Sequence, residues 1–105
     1  MKSNHENPFQ TELNLLGQAH IPKFVLKIIR SLRDEGFEAY LVGGCIRDIL
    51  TGLKPKDFDI ATAATPEEVR KTFKASRIIG KRFKLVHVYQ KNTIIEVAKM
   101  FRSKV

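Results

Sequence analysis

The sequence predicts an α+β domain in which helices back a small mixed β-sheet, and three observations lead to this fold class. Apolar residues recur at helical spacing over residues 21–32, which indicates an amphipathic helix. A second helix is indicated at Thr65-Pro66-Glu67-Glu68, where the residue types of a helix start follow one another. Four short segments, at 37–42, 57–61, 84–90 and 93–98, are apolar or alternate as strands do. With 105 residues, the chain is large enough for one core.

The first helix has an apolar stripe that faces a core, and both of its ends are marked in the sequence. Pro22 suits the first helical turn, and Gly36 suits the position just past the last one. Residues 1–20 are polar and show no sustained period, so we expect an N-terminal arm there with one helical turn near 12–16. Residues 21–105 are expected to form the domain. The stripe consists of Ile21, Phe24, Val25, Ile28, Ile29 and Leu32.

The segment after this helix is predicted to be a strand, a glycine turn and a short helix. Residues 37–42 end in an apolar run, which is typical of a strand buried on both faces. Gly43-Gly44 breaks this strand, and a short helix is predicted over 45–50. Lys54-Pro55-Lys56 forms a turn, because the residue before a proline is pushed out of helical geometry.

The second half of the chain is predicted to contain a strand, a capped helix and a hairpin. The strand at 57–61 alternates strictly, and the capped helix extends from Thr65 to about residue 74. The last two strands, 84–90 and 93–98, are joined by a tight turn at Lys91-Asn92. Asparagine tolerates a left-handed backbone, which suits such a turn.

The chain is basic, with 19 Lys and Arg against 11 Asp and Glu and a formal net charge of +8. This charge attracts polyanions such as RNA or triphosphates. The most basic segment is residues 69–95. A solvated basic face explains it as well as a binding surface does, unless Asp57 and Asp59 belong to the same site. That segment contains no Asp or Glu. Its cations are Arg70, Lys71, Lys74, Arg77, Lys81, Arg82, Lys84 and Lys91.

The cysteine content and the hydropathy pattern bear on the compartment. Cys45 is the single cysteine, which excludes an intrachain disulfide and fits a reducing cytoplasm. We interpret it as a packing residue, because the companions of a zinc site are missing. No apolar run approaches the roughly 20 residues that span a bilayer, and the N-terminus lacks the apolar core of a secretory signal. We therefore expect a cytoplasmic protein without a membrane partner.

Asp57 and Asp59 are the candidate metal ligands. Alternate side chains of a strand share a face, so both carboxylates would point the same way, about 7 Å apart at the backbone, with Phe58 and Ile60 directed into the core. Oxygen ligands at this separation can share hard cations such as Mg²⁺, which in turn bind phosphate oxygens. A D-x-D sequence alone is more often a pair of solvated turn acids. The interpretation as a metal site therefore depends on the surrounding residues.

Gly43, Gly44 and Arg47 are the candidate phosphate-binding residues. Glycines lack a Cβ and let the backbone come close to a ligand, and these two lie where a strand ends and a helix begins. The free N–H groups of a helix start can bind a phosphate, and Arg47 lies about one helical turn further on as a forked donor. The alternative is a tight turn followed by a surface arginine.

Glu96 and His87 lie in the predicted hairpin. Glu96 interrupts the apolar run Ile94 to Ala98, where a buried unpaired charge would be costly. It therefore either points off the core on an edge face or joins Asp57 and Asp59 around cations. His87 alternates with Leu85 and Tyr89, and a partly buried histidine with a satisfied hydrogen bond accounts for it more simply than a metal ligand does.

Taken together, these segments resemble a known enzyme superfamily. LVGGCIRDILTG followed by KPKDFDIAT is similar to the signature of the class II nucleotidyltransferases, the polymerase-β-like superfamily that includes tRNA CCA-adding enzymes and bacterial poly(A) polymerases. The likeness continues through ATPEEVRKTF, RIIGKRFKLVHV and IIEVA and covers residues 22–98. Residues 79–88 are more similar to the bacterial poly(A) polymerases than to the CCA-adding enzymes, which tend to have a shorter H-G-T-V-like stretch there.

The resemblance implies a nucleotidyltransferase head domain that transfers AMP from ATP to an RNA 3′ end, which is polyadenylation, by two-metal chemistry with Mg²⁺ or Mn²⁺. The residues that match its motifs fall into three groups. Asp57, Asp59 and Glu96 would be the catalytic carboxylates and metal ligands. Gly43, Gly44 and Arg47 would hold the triphosphate. Asp48 matches the Asp of the family's R-D pair, and its role is either a nucleotide contact or a structural hydrogen bond. Arg82 and Lys84 would assist with phosphate or RNA.

Two departures from the family pattern limit what carries over. The family has T-F-R soon after E-V-A, whereas here Lys99, Met100 and Phe101 precede Arg102, so the role of Arg102 is open. The family's helical domains, which select the base and grip the RNA, are expected beyond Val105. We therefore expect the N-terminal catalytic part of a longer enzyme, weakly active or inactive by itself. A tRNA CCA-adding enzyme and a non-catalytic basic module that binds RNA are the two alternatives.

Overall fold

The computed structural model describes residues 21–100. The expected arm over 1–20, the turn near 12–16 and Arg102 lie outside these residues. The helices of the described part are α1 (Lys23–Asp34), α2 (Gly44–Leu50) and α3 (Pro66–Thr72). Its strands are β1 (Ala39–Val42), β2 (Asp59–Thr62), β3 (Ser76–Ile79), β4 (Leu85–Gln90) and β5 (Thr93–Lys99).

The strands form one mixed sheet in the order β1-β2-β5-β4-β3. Strand β2 is antiparallel to β1 and parallel to β5, whereas β4 is antiparallel to both β5 and β3. The predicted fold class, a small mixed sheet backed by helices, is confirmed. The parallel pair matters for the site, because it brings two segments that are far apart in the chain into register at the centre of the sheet.

The core lies on one face of this sheet. Leu41, Ile60, Val86 and Val97 project from four neighbouring strands into a continuous buried cluster. Helix α1 covers them with the stripe that its sequence predicts, since Val25, Ile28, Ile29 and Leu32 are all buried. Burial of these side chains is the main source of stability, at about 25 cal/mol per Å² of apolar surface. The opposite face of the sheet keeps polar and charged side chains, and the candidate site lies there.

The predicted start of α3 is confirmed in detail. The Thr65 hydroxyl accepts a hydrogen bond from the Glu68 N–H at 3.2 Å, and the Glu68 carboxylate accepts one from the Thr65 N–H at 2.8 Å. This reciprocal capping box satisfies two N–H groups that a helix start otherwise leaves unpaired. The helix ends at Thr72 rather than near residue 74, because Phe73 already has an extended backbone with φ −118° and ψ 115°.

The strand predicted at 57–61 is displaced, because β2 begins at Asp59 and ends at Thr62. Asp59 pairs with Val42, the last residue of β1, so no residue of β1 is left to pair with Asp57. The expectation that both acids alternate within one strand is therefore wrong for Asp57. Phe58 and Ile60 are nevertheless both buried, as predicted.

Two further features differ from the sequence prediction. Strand β3 was not predicted; it has four residues and pairs with β4 alone at the edge of the sheet. In the hairpin turn the left-handed residue is Lys91, with φ 53°, and not Asn92. Tight two-residue hairpin turns require a positive φ at their first central position, which is Lys91 here.

No helix within residues 21–100 has the length and the apolar composition to cross a bilayer.

Candidate active site

One row of side chains crosses the open face of the sheet and contains two of the predicted acids. Val42 pairs with Asp59, Asp59 with Glu96, Glu96 with His87, and His87 with Arg77. Directly paired residues of neighbouring strands project from the same face, and neighbouring strands lie about 4.8 Å apart. Two carboxylates, an imidazole and a guanidinium therefore stand side by side on four adjacent strands.

Glu96 points off the core, although β5 is a central strand and not an edge, and it pairs directly with Asp59. Ile95 and Val97 on either side of it are buried, whereas the Glu96 side chain is 53% exposed. Its Oε2 atom lies 3.9 Å from Nε2 of His87, and this pair is ionic only when His87 is protonated. The partly exposed His87 ring also meets the ring of Tyr89 edge to face, with 6.4 Å between centroids.

Asp57 joins these residues from the loop before β2. Although it lies outside the strand, it borders the same hollow in the surface, which has a volume of about 300 Å³. The structure thus brings Asp57, Asp59 and Glu96 around one hollow, despite the error in the predicted strand. The lining residues of this sheet-side hollow are Asp57, Phe58, Asp59, His87, Ile94 and Glu96.

The pKa of Asp59 is affected by the other two acids. Partial burial raises the pKa of the Asp59 carboxyl, and the negative charges of Glu96 and Asp57 raise it further. A carboxylate held among other carboxylates is costly for the fold without a cation. An acid with a raised pKa that borders a surface hollow with two other carboxylates is typical of a functional site.

The donor set fits a hard divalent cation. Carboxylate oxygens are the ligands that Mg²⁺ accepts from proteins, usually from one or two side chains, with water and substrate phosphates completing the octahedron. Among residues 21–100, no three His, Cys, Asp or Glu side chains are grouped so that together they could hold one ion. The arrangement therefore suits a cation that reaches the site with a phosphate ligand, rather than a closed protein cage.

Gly43 forms the turn beside these acids. Its backbone has φ 84° and ψ −158°, a conformation that is essentially restricted to glycine. A Cβ atom at this position would lie 3.2 Å from Oδ2 of Asp59, closer than ordinary van der Waals contact. Gly43 thus lets the chain pass directly against the carboxylate of Asp59 before α2 begins.

Gly44 and Arg47 belong to the first turn of α2. A Cβ atom on Gly44 would lie 3.6 Å from Nη2 of Arg47, so the exposed guanidinium lies back over the start of the helix. It stands close to the glycine turn, where a positive charge can meet an anion bound to the N–H groups of that turn.

A second hollow, of about 580 Å³, lies on the α2 side of the acids. It shares Asp57 and Asp59 with the sheet-side hollow, so the two hollows meet at this pair. Asp48 lines it, together with Lys54 and Lys56, two exposed cations of the predicted turn that were not among the predicted site residues. Their position directly before Asp57 was the available signal. The full lining of this α2-side hollow is Gly44, Cys45, Asp48, Leu53, Lys54, Lys56, Asp57 and Asp59.

Cys45 is buried beneath this hollow, in agreement with its interpretation as a packing residue. Its thiol donates a hydrogen bond to the Val42 carbonyl at 3.2 Å. Burial raises the pKa of the Cys45 thiol, and the nearby Asp59 carboxylate adds to this effect, whereas the backbone N–H of Asp59 opposes it. The protonated thiol therefore serves as a link between α2 and the end of β1.

Arg82 and Lys84 lie outside both hollows. Both are exposed in the loop over residues 80–84, which connects β3 to β4 and starts and ends at the pair Ile79 and Leu85. Neither lines the two hollows. The structure therefore places them outside the two hollows that Asp57, Asp59 and Glu96 border.

Comparison with known proteins identifies the class first. The structure is similar to that of the Bacillus stearothermophilus CCA-adding enzyme in complex with CTP, with a TM-score of 0.67 and 39% identity over 72% of this chain and 19% of that one. The mixed sheet with its acids beside a glycine turn is thus a nucleotidyltransferase head. The chain belongs to the family of poly A polymerase head domains, whose sequence pattern matches residues 39–105.

Curated relatives of this chain include enzymes of two kinds. It is 47% identical over 94 residues to the poly(A) polymerase I of Salmonella typhi, covering 90% of this chain and 20% of that protein. It is 45% identical over 73 residues to the CC-adding tRNA nucleotidyltransferase of Halalkalibacterium halodurans, covering 70% of this chain and 20% of that protein. The chain spans about one fifth of the length of the curated relatives that it matches.

Proposed function

We propose that this chain is the catalytic head of an enzyme that transfers AMP from ATP to the 3′ end of RNA. The observation that carries the proposal is the convergence of Asp57, Asp59 and Glu96 on one hollow, directly beside the Gly43 turn. Three carboxylates around one open hollow have no packing purpose, and burial together with the other two acids raises the pKa of the Asp59 carboxyl. A cation relieves this repulsion.

The residues divide between the two hollows. On the α2 side, Lys54, Lys56 and Arg47 supply positive charge for the triphosphate, while Gly43 and Gly44 allow close approach of the backbone. On the sheet side, Glu96 and His87 border the space in which the RNA terminus would lie. Asp57 and Asp59 stand between them, where the α-phosphate and the attacking hydroxyl would meet. Asp57, Asp59 and Glu96 would hold Mg²⁺ or Mn²⁺, which when bound would supply activation of the hydroxyl and stabilisation of charge on the phosphate oxygens.

The similarity to poly(A) polymerase I supports ATP as the nucleotide and RNA as the acceptor, since 90% of this chain aligns with that of Salmonella typhi. The similarity to CC-adding and CCA-adding enzymes supports a second candidate, the addition of nucleotides to tRNA. The two functions use the same acids and differ in the nucleotide and the acceptor. Incorporation of labelled ATP into oligoadenylate, compared with incorporation of labelled CTP into a tRNA without its 3′ terminal CCA, separates them.

The proposal is tested by nucleotide binding, because metal-dependent binding reports on the acids directly and does not require turnover. Binding of ATP to the full 105-residue chain is measured by calorimetry with Mg²⁺ and with a chelator. We expect tighter binding with Mg²⁺ and loss of this metal-dependent gain in Asp59→Asn and Glu96→Gln. Asp34→Asn, at the exposed end of α1, removes one negative charge outside both hollows and serves as the matched control.

The outcome that refutes the proposal is equally specific. If ATP binds with the same affinity with and without divalent metal, and if Asp59→Asn leaves that affinity unchanged, the acids are not a metal site. The chain would then be a basic module that binds RNA without catalysis.

A further inference from the structure

The most exposed large hydrophobic side chain among residues 21–100 is Phe83, at 80% exposure. Single exposed apolar residues are common on protein surfaces and need no function. Phe83 is different because of its neighbours. It lies in the 80–84 loop between exposed cations, with Lys81 and Arg82 before it and Lys84 after it.

This loop folds tightly at its start. Gly80 has φ 98°, and a Cβ atom there would lie 2.5 Å from the carbonyl oxygen of Phe83, a distance that real Cβ atoms do not show. The backbone of Phe83 is therefore folded tightly against Gly80, and only glycine permits this. The loop is closed at its base by the pairing of Ile79 with Leu85. An aromatic ring on such a loop is presented to solvent at little entropic cost.

The charge around the loop is of one sign. Strands β3 and β4 contain no acid, and Glu96 is the one acid of β5. Arg77 extends the positive charge along β3 toward the row of side chains that includes Glu96 and Asp59. An exposed aromatic ring with flanking Lys and Arg is the combination that binds single-stranded nucleic acid, in which bases stack on the ring and phosphates meet the cations.

The loop lies within reach of the acids. Leu85 is two residues, or about 7 Å, along β4 from His87, and β4 lies two strand spacings, or about 10 Å, from β2. The base of the loop is thus about 12 Å from the backbone of Asp59. At about 3.4 Å for each stacked nucleotide, this distance corresponds to about four nucleotides.

We propose that the 80–84 loop is a binding site for single-stranded RNA, in which Phe83 stacks on a base and Lys81, Arg82 and Lys84 contact the phosphates on either side of it. The inference rests on the proposed function, because it assigns the loop to the RNA that enters the catalytic hollow. It adds a contact upstream of the RNA terminus that requires neither metal nor ATP.

The test measures binding of a labelled oligoadenylate of about twelve nucleotides to the full chain in the presence of a chelator. Phe83→Ala and Phe83→Leu are expected to weaken binding about fivefold or more, whereas Phe83→Tyr keeps a stacking ring and stays within about twofold of the wild type. Leu50→Ala, which removes a 65% exposed apolar side chain from α2, is expected to leave the affinity unchanged. If Phe83→Leu binds as tightly as the wild type, stacking is refuted.

A spectroscopic readout keeps the test independent of any effect on folding. The chain contains no tryptophan, so Phe83→Trp introduces a single reporter. We expect oligoadenylate to quench its emission, and Leu50→Trp to keep its emission under the same conditions. An unchanged Phe83→Trp emission at saturating RNA would overturn the proposal, as would quenching by an acidic polypeptide to the same extent.

The salt dependence of the affinity tests the contacts of the cations with phosphates. Arg82→Gln and Lys84→Gln are each expected to reduce the slope of log affinity against log salt by about 0.7, the value for one phosphate contact on a single strand. Lys71→Gln, on the exposed surface of α3, is the control with an unchanged slope. Failure here is distinct from failure of the proposed function. In the Phe83→Trp chain, a second change Asp59→Asn should leave quenching by oligoadenylate intact, and loss of that quenching would overturn the loop as a separate site. A Phe83→Trp chain that is quenched but shows no metal-dependent ATP binding refutes catalysis alone.

Discussion

Gly43 stands directly against Asp59, because a Cβ atom at Gly43 would lie 3.2 Å from Oδ2 of that carboxylate. The contact joins the turn after β1 to the first residue of β2, and it therefore couples a backbone requirement to the position of a candidate metal ligand. Any other residue at this position would have to adopt the positive φ of 84°, and its Cβ atom would press against this carboxylate.

Gly43→Ala is predicted to lower the free energy of unfolding by about 1–3 kcal/mol, the cost of holding a non-glycine residue in this backbone region. It is also predicted to displace the Asp59 carboxylate and so to weaken metal-dependent ATP binding. Urea unfolding and calorimetry measure the two effects. Gly52→Ala is the control, because Gly52 has φ 83° with no atom within 4 Å of the added Cβ. It should reduce stability but leave ATP binding unchanged, and equal losses of binding would contradict the prediction.

Asp59→Asn is predicted to stabilise the metal-free chain at neutral pH. The pKa of the Asp59 carboxyl is raised in the folded state by burial and by Glu96 and Asp57. The folded state therefore favours the protonated acid, and this contribution to stability is complete below the unfolded-state pKa, about 3.9, and is lost as pH rises through the folded-state value. The neutral amide avoids this loss.

The measurement is urea unfolding of the wild type and of Asp59→Asn at several pH values in the presence of a chelator. The advantage of the variant should be largest near pH 7 and should disappear below about pH 4. Asp34→Asn should show a much smaller dependence on pH. A difference between Asp59→Asn and the wild type that is the same at every pH would exclude the electrostatic explanation.

Local patterns were sufficient for the parts of the fold that depend on neighbouring residues. The stripe of α1 and the capping box of Thr65 and Glu68 follow from spacings of three and four residues. Strand β3 escaped prediction because its four residues carry no alternation that distinguishes them from a loop. Asp57 was assigned to a strand because its alternation continues that of Asp59, yet the end of β1 at Val42 decides where pairing stops.

The candidate site depends on contacts that no local pattern contains. Alternation selected Asp57 and Asp59, and the interrupted apolar run selected Glu96, but the meeting of Asp59 with Glu96 depends on the parallel pairing of β2 with β5. Lys54 and Lys56 were not selected, because their proximity to Asp48 is produced by the path of the chain after α2. Contact of Arg82 and Lys84 with phosphate or RNA stays a prediction, and the structure places both residues in the loop between β3 and β4.

Thr62→Val is predicted to lower the free energy of unfolding by about 1–3 kcal/mol, although the two side chains have similar shapes. Thr62 is fully buried, and its hydroxyl donates to the Glu38 carbonyl at 2.6 Å and accepts from the Ala64 N–H at 3.2 Å. The Glu38 carbonyl keeps a hydrogen bond from the Ala63 N–H, so the main cost is the buried Ala64 N–H. Thr93→Val, at the half-exposed start of β5, should change stability by less than about 0.5 kcal/mol. Equal stabilities of Thr62→Val and the wild type would show that water satisfies the Ala64 N–H.

Thr65→Ala is predicted to lower the free energy of unfolding by about 1 kcal/mol, because it removes the hydroxyl that accepts from the Glu68 N–H at the start of α3. Thr65→Ser keeps this hydrogen bond, and Glu68→Gln keeps a side-chain oxygen that can accept from the Thr65 N–H, so both should stay within about 0.5 kcal/mol of the wild type. Since α3 packs through Val69 on the core face, opposite the acids, ATP binding should be unaffected in all three variants. Thermal unfolding and calorimetry measure both quantities, and a loss of ATP binding in Thr65→Ala would mean that the fraying of α3 reaches the site through the sheet.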